Sequence, residues 1–246
     1  MFSFLKNHPF AVEAHFDSSI VLAFAAPKEH LSHLIPECLE LDTFDDKWAF
    51  LAIALVRTKG LRAQGSPRLF GRDFFLIGYR IFVRYRNNDG KRMRGLYILK
   101  SETDSKWLAT FGNIFTRYRY TTTDISYETK GAVTAIRSHK SGLDIRLGGD
   151  EEATNLPEGS PFGDWKEARR FAGPLPFTFT YDEGTGNVSI IEGVRQNWTP
   201  KPINVLEHEV GFLRSLNIDG LVLANAFIIQ DVPYLWKKGR VEKWNG

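Results

Sequence analysis

Lys100 is the residue in this chain best suited to covalent chemistry, because it closes the strand-like run Arg94-Gly-Leu-Tyr-Ile-Leu-Lys100 among apolar neighbours. On an apolar face burial disfavours the ammonium form and frees the lone pair, so such an amine attacks a ketone or aldehyde. Tyr79, set opposite it by the hairpin geometry below, is the candidate proton donor. The alternative is a strand-end lysine whose stem packs while its amine reaches water. Arg72-Asp73 stands at the head of the same hairpin. Its planar guanidinium suits a carboxylate ligand, and the competing reading is a structural pair tying a loop to the sheet. In Arg117-Tyr-Arg-Tyr120, alternation puts the arginines on one face and the tyrosines on the other. Only one of those pairs can face a cavity. Tyr118 is taken as a catalytic candidate and Arg117 as a ligand-binding one.

The elements that must position these side chains are strands. Runs 73 to 86 and 91 to 101 flank Asn87-Asn-Asp-Gly90, and Asp-Gly between alternating apolar runs is a strong hairpin signal. With a two- or four-residue loop, cross-strand partners sum to an odd number. Ile77, Tyr79, Ile81 and Val83 then share a face with Leu96, Ile98 and Lys100, and Arg80, Arg84 and Arg86 lie opposite with Phe82, Tyr97 and Leu99. A three-residue loop with a bulge inverts this assignment.

Phe at 19 residues, Gly at 21 and Pro at 11, with short alternating runs between turn signals, indicate a mainly β protein with few helices. The spacing predicts strands over 11 to 26, 39 to 44, 48 to 57, 117 to 127, 132 to 138, 143 to 147, 177 to 181, 188 to 192, 221 to 230 and 234 to 241. It predicts a short helix after Pro27 and a longer one over 104 to 115, capped by Ser101 or Thr103. Residues 148 to 163, acidic and rich in Gly and Pro, read as a long loop or lid within one domain spanning 1 to 246.

The 246 residues carry a formal net charge of +3, which accommodates anionic ligands without requiring nucleic acid. The single cysteine, Cys38, excludes an intramolecular disulfide and fits a reducing compartment, with the cytoplasm as the default. The longest apolar run, Trp48 to Val56, is far shorter than the ~20 residues of a membrane span. His30 and His33 sit i and i+3 without a third metal ligand, and His208-Glu-Val-Gly meets Phe212 where a zinc motif needs histidine. No metal, nucleotide or other cofactor is expected.

Several segments resemble one family: His8-Pro-Phe, Leu34-Ile-Pro-Glu-Cys-Leu-Glu-Leu-Asp42, Gly71-Arg-Asp-Phe-Phe75, Tyr85-Arg with Arg94-Gly-Leu-Tyr97, and the helix starting near Asp104. Together they resemble the YqjF-type uncharacterised proteins grouped with acetoacetate decarboxylase. The resemblance implies a mostly antiparallel, cone-like closed sheet with peripheral helices and an enclosed small-molecule cavity. In the decarboxylase a lysine pair forms a Schiff base. Here Ile114-Phe-Thr-Arg-Tyr-Arg-Tyr120 stands at that segment, with Arg117 or Tyr118 in place of the reactive lysine, and the decarboxylase arginine falls near Asp17. Tyrosine forms no imine, so the resemblance carries the fold and a pocket rather than the decarboxylation.

Two functional classes stay open. One is a pocket for a small organic acid or carbonyl compound, with lyase-like chemistry as one form of it. The other is a non-catalytic binding protein, including one for single-stranded nucleic acid through Arg80, Arg84, Arg86, Arg92 and Arg94 among aromatics. Mild net charge and the acidic segments weigh against nucleic acid.

Overall fold

The computed structural model of the chain describes residues 3–149, 155–196 and 198–244, so part of the loop expected over 148 to 163 lies outside the described residues. From the N-terminus come β1 (Val12–Pro27), β2 (Glu40–Leu41), β3 (Trp48–Ala63), β4 (Arg72–Arg86), β5 (Arg92–Thr103) and helix α1 (Lys106–Phe115). Then follow β6 (Tyr120–Thr122), β7 (Ser126–Lys130), β8 (Val133–Ser138), β9 (Leu143–Gly148), α2 (Trp165–Ala172), β10 (Phe177–Asp182) and β11 (Asn187–Arg195). The chain closes with β12 (Lys201–Pro202), β13 (Val205–Val210), α3 (Gly211–Ser215), β14 (Val222–Trp236) and β15 (Arg240–Lys243).

An eleven-stranded sheet orders its main path β12-β14-β1-β3-β4-β5-β10-β11-β15. A further pairing of β11 with β14, from Gly193↔Trp236 to Arg195↔Tyr234, closes seven of these strands into a ring. Most pairings are antiparallel, but β5 pairs parallel with both β10 and β6, so the sheet is mixed rather than purely antiparallel. A second, four-stranded sheet, β13-β9-β8-β7, covers the outside of the ring. The main core lies between the two sheets, where Ile53, Leu55, Ile77, Tyr79 and Ile81 meet Ile136, Ile145 and Leu147. A smaller cluster on the other face joins Phe50, Ala52, Phe82 and Leu96 to Phe162 and to Ala168 and Ala172 of α2. In this way α2, a helix that the sequence pattern does not predict, plugs one end of the ring.

The register of β4 and β5 corrects the expected face assignment. Asn87 N–H donates to the Lys91 carbonyl, and Gly90 has φ of 78°, so the loop has three residues, Asn88 to Gly90. Partners near the turn therefore sum to an even number, from Arg86↔Arg92 to Arg80↔Ile98. Leu99 is then skipped, and the strands resume as Tyr79↔Lys100 and Gly78↔Ser101. The bulge rotates the far half of β5 by one residue. Tyr79 and Lys100 do share a face, but Leu96 and Ile98 lie on the opposite one with Arg80 and Phe82.

Helix α1 starts two residues later than expected, because Ser105 rather than Ser101 or Thr103 accepts from the Leu108 N–H. The short helix after Pro27 is two 3-10 turns, Lys28–His30 and Ser32–Leu34.

Candidate functional site

The ring is hollow. A cavity of about 480 Å³ occupies its interior, and all seven ring strands contribute to the wall. Alternation turns small residues inward from the longest strands, among them Ser19 of β1 and Ala52 and Ala54 of β3, which leaves the space unfilled. The wall is mostly aromatic and aliphatic, and among the described residues it includes no aspartate, glutamate, lysine or cysteine.

Arg80 of β4 stands apart from Arg62 and Arg195, the other arginines of this wall. Its flank is buried, Nε has no hydrogen-bond partner, and no carboxylate pairs with it among the described residues. The surface it retains belongs to the cavity. Gly78, two residues earlier on the same face, makes room for it, since a Cβ there would stand 3.0 Å from Arg80 Nε. Burial pushes the guanidinium's pKa down, with Arg195 adding to that effect and Tyr234, Tyr120 and Tyr118 opposing it. The group still stays charged at neutral pH, as arginine does in proteins. Burial likewise pushes the Tyr118 and Tyr120 hydroxyls up, so both remain neutral donors. The Tyr118 hydroxyl has no hydrogen-bond partner of good geometry. Arg195, also on the wall, donates to the Leu175 carbonyl at 2.6 Å and lies over the Tyr234 ring. Arg62 is engaged by Glu13 at 2.5 Å. His8 lines the cavity too, and burial lowers its pKa to about 4, which keeps the imidazole neutral at physiological pH.

Of the residues singled out from the sequence, the structure brings Tyr118 to this cavity. Lys100 lies on the opposite face of the sheet, over the rings of Tyr79 (5.9 Å) and Phe212 (5.4 Å), with its amine 2.6 Å from Glu102. Tyr79 donates to the other Glu102 oxygen at 2.8 Å, which closes a buried three-residue network away from the cavity. Asp73 accepts from the Gly60 N–H (2.9 Å) and from Lys59 (3.0 Å), tying the end of β3 to the start of β4, and neighbouring Arg72 is exposed. Arg117 pairs with Asp182 and is not part of the cavity wall.

Three of the five arginines proposed to contact nucleic acid, Arg84, Arg92 and Arg94, are similarly engaged. Arg84 and Arg94 both clamp the fully buried Asp42, Arg94 stacks on Phe171, and Arg92 reaches Glu40. Arg80 enters the sequence reading only as a nucleic-acid contact, and its place on the cavity wall goes unread there. Two signals pointed to it: an arginine on the same strand face as Phe82, and a glycine two positions before it. No group of three or more metal-ligating side chains converges among the described residues, and no helix among them is long and apolar enough to cross a membrane.

Comparison with solved structures places this ring among known ones. Acetoacetate decarboxylase from Legionella pneumophila superposes with a TM-score of 0.62 at 11% identity, covering 95% of this chain and 88% of that one. An acetoacetate decarboxylase-like enzyme from Sphingomonas wittichii RW1 gives 0.59 at 8% identity, covering 97% and 94%. The enduracididine biosynthesis enzyme MppR, in complex with pyruvate, gives 0.55 at 9%, covering 95% and 90%. At these identities the likeness is one of fold. No curated protein is significantly similar in sequence. The DUF2071 family, described as uncharacterised conserved proteins, matches residues 13–230. The hollow ring and the sequence match thus agree, and the chain belongs to the DUF2071 family with an acetoacetate decarboxylase-like fold.

Proposed function

We propose that this protein binds an organic acid inside the ring, with the carboxylate on Arg80 and a hydrogen bond from Tyr118. The observation that carries this reading is an arginine side chain, buried along its flank and facing a cavity, that no carboxylate among the described residues neutralises. Buried charges are normally paired, because an uncompensated one costs several kcal/mol. An arginine kept in that state is complementary to an anion supplied from outside, and its planar fork matches a carboxylate in two hydrogen bonds. A relative of the same fold, MppR, is held in complex with pyruvate, a small keto acid.

Capture is non-covalent. The described wall offers no amine for an imine, and the nearest candidate, Lys100, is on the other side of the sheet and committed to Glu102. The lysine-dependent chemistry of the decarboxylase therefore has no counterpart in this cavity. Calorimetric titration with 3-phenylpropanoate tests the reading. Wild type binds it, the neutral 3-phenylpropan-1-ol binds far more weakly, and Arg80→Met loses about 100-fold in affinity. Equal binding of acid and alcohol, or an unaffected Arg80→Met, contradicts it.

A further inference from the structure

The cavity holds far more than a carboxylate site. Arg195 and the tyrosines Tyr118, Tyr120 and Tyr234 accompany Arg80, and the wall running away from them is mainly apolar, with His8, Thr58, Arg62 and Ser66 as its polar members toward the far end. Along β4 that wall passes Leu76 to Phe74, about six residues from Arg80 and so roughly 20 Å at the rise of a strand. It ends at the exposed aromatic side chains that also line the cavity: Phe70, 63% exposed, with Phe10, Trp107 and Phe111, each 40% exposed. These side chains mark the mouth. The Trp107 and Phe111 rings lie 5.0 Å apart on α1, and Phe10 meets Phe115 edge-on at 5.1 Å. The helix thus turns part of its apolar face toward the opening instead of into a core. Large apolar side chains left exposed around a cavity mark a binding groove.

A keto acid of a few atoms would occupy only the Arg80 end, leaving the rest of an apolar channel to water that finds few partners there. Resting on the reading of Arg80 as the carboxylate anchor, we infer that the acid is amphiphilic. A single carboxylate sits at Arg80, and a long aliphatic or aryl-alkyl body runs along Leu76 and Phe74 to emerge between Phe70, Trp107 and Phe111. Selectivity then comes from the wall: an acid with a second charge on its body would have to bury that charge among aromatic rings, where Arg62, the one cation of the described wall beyond Arg80 and Arg195, is already taken by Glu13.

Titration of the full chain with acetate, butanoate, hexanoate, octanoate and decanoate, alongside pyruvate, adipate and decan-1-ol, tests this. Affinity rises about fourfold per methylene until the chain reaches the mouth. Decanoate then exceeds pyruvate by at least 100-fold, and adipate binds more weakly than hexanoate. Affinity that is flat from acetate to decanoate, or pyruvate bound as tightly as decanoate, overturns the amphiphilic ligand while leaving the Arg80 anchor standing if Arg80→Met still abolishes binding of the acids. Decan-1-ol bound as tightly as decanoate, with Arg80→Met indifferent, overturns the anchor itself.

Discussion

The two faces of the β4–β5 hairpin each set a cation beside tyrosine, and they resolve it in opposite ways. On the outer face Lys100 pairs with Glu102, which also accepts from Tyr79, and the network is covered by Phe212. On the inner face Arg80 has Tyr118, Tyr120 and Tyr234 for company and no carboxylate among the described residues. The outer network is closed and belongs to the fold, whereas the inner one is left open toward a cavity. A buried charge that the chain neutralises itself contributes to structure, and one that it leaves unneutralised is a place for a ligand. Asp42, held between Arg84 and Arg94 of the same hairpin, is a second closed case.

That contrast can be broken experimentally. The largest effect belongs to the outer face: Lys100→Met strands the buried Glu102 carboxylate and lowers unfolding free energy by about 3–5 kcal/mol in denaturant titration, with acid binding by the remaining folded protein unchanged. Next comes pH. An unfolded histidine titrates near 6.5, whereas burial holds His8 at about 4. The unfolded chain therefore takes up this proton first. The stability that His8 contributes is whole above pH 6.5 and drains away as pH falls toward 4, by about 3 kcal/mol, and His8→Gln flattens that part of the profile.

Arg80→Met has the opposite sign to Lys100→Met. Removing an unpaired buried charge stabilises the apo protein by about 1–2 kcal/mol in the same titration, while acid binding is lost. A destabilised Arg80→Met would mean that the inner network is as closed as the outer one. Gly78→Ala is the mildest change, since its Cβ would press on Arg80 Nε at 3.0 Å and on Nη2 at 3.1 Å. Stability moves by less than about 1 kcal/mol and acid affinity drops several-fold, as read by calorimetry.

Much of the fold was legible in the sequence, because strand alternation and turn residues are local signals. The β4–β5 hairpin, α1 and the family resemblance all follow from contiguous residues. The faces were not legible, since a single extra residue in a loop and another at a bulge decide them. Asn88 to Gly90 inverted the assignment near the turn, and the skipped Leu99 restored Tyr79 and Lys100 to one face. Helix α2 escaped because Trp165–Ala172 is a short segment whose apolar residues pack across the end of a ring that only tertiary structure creates. Arg80 escaped for a related reason. On a strand its guanidinium looks like those of Arg84 and Arg94, and only the three-dimensional placement of Asp42 separates the two paired arginines from the unpaired one.

A crystal structure of the protein grown with decanoate tests the central claim most directly. The account predicts carboxylate density in two hydrogen bonds to the Arg80 guanidinium and one to the Tyr118 hydroxyl, with the chain running past Leu76 to the Phe70 and Trp107 mouth. Decanoate bound elsewhere, with the ring interior empty and Arg80 joined to a side chain of the protein, would contradict it.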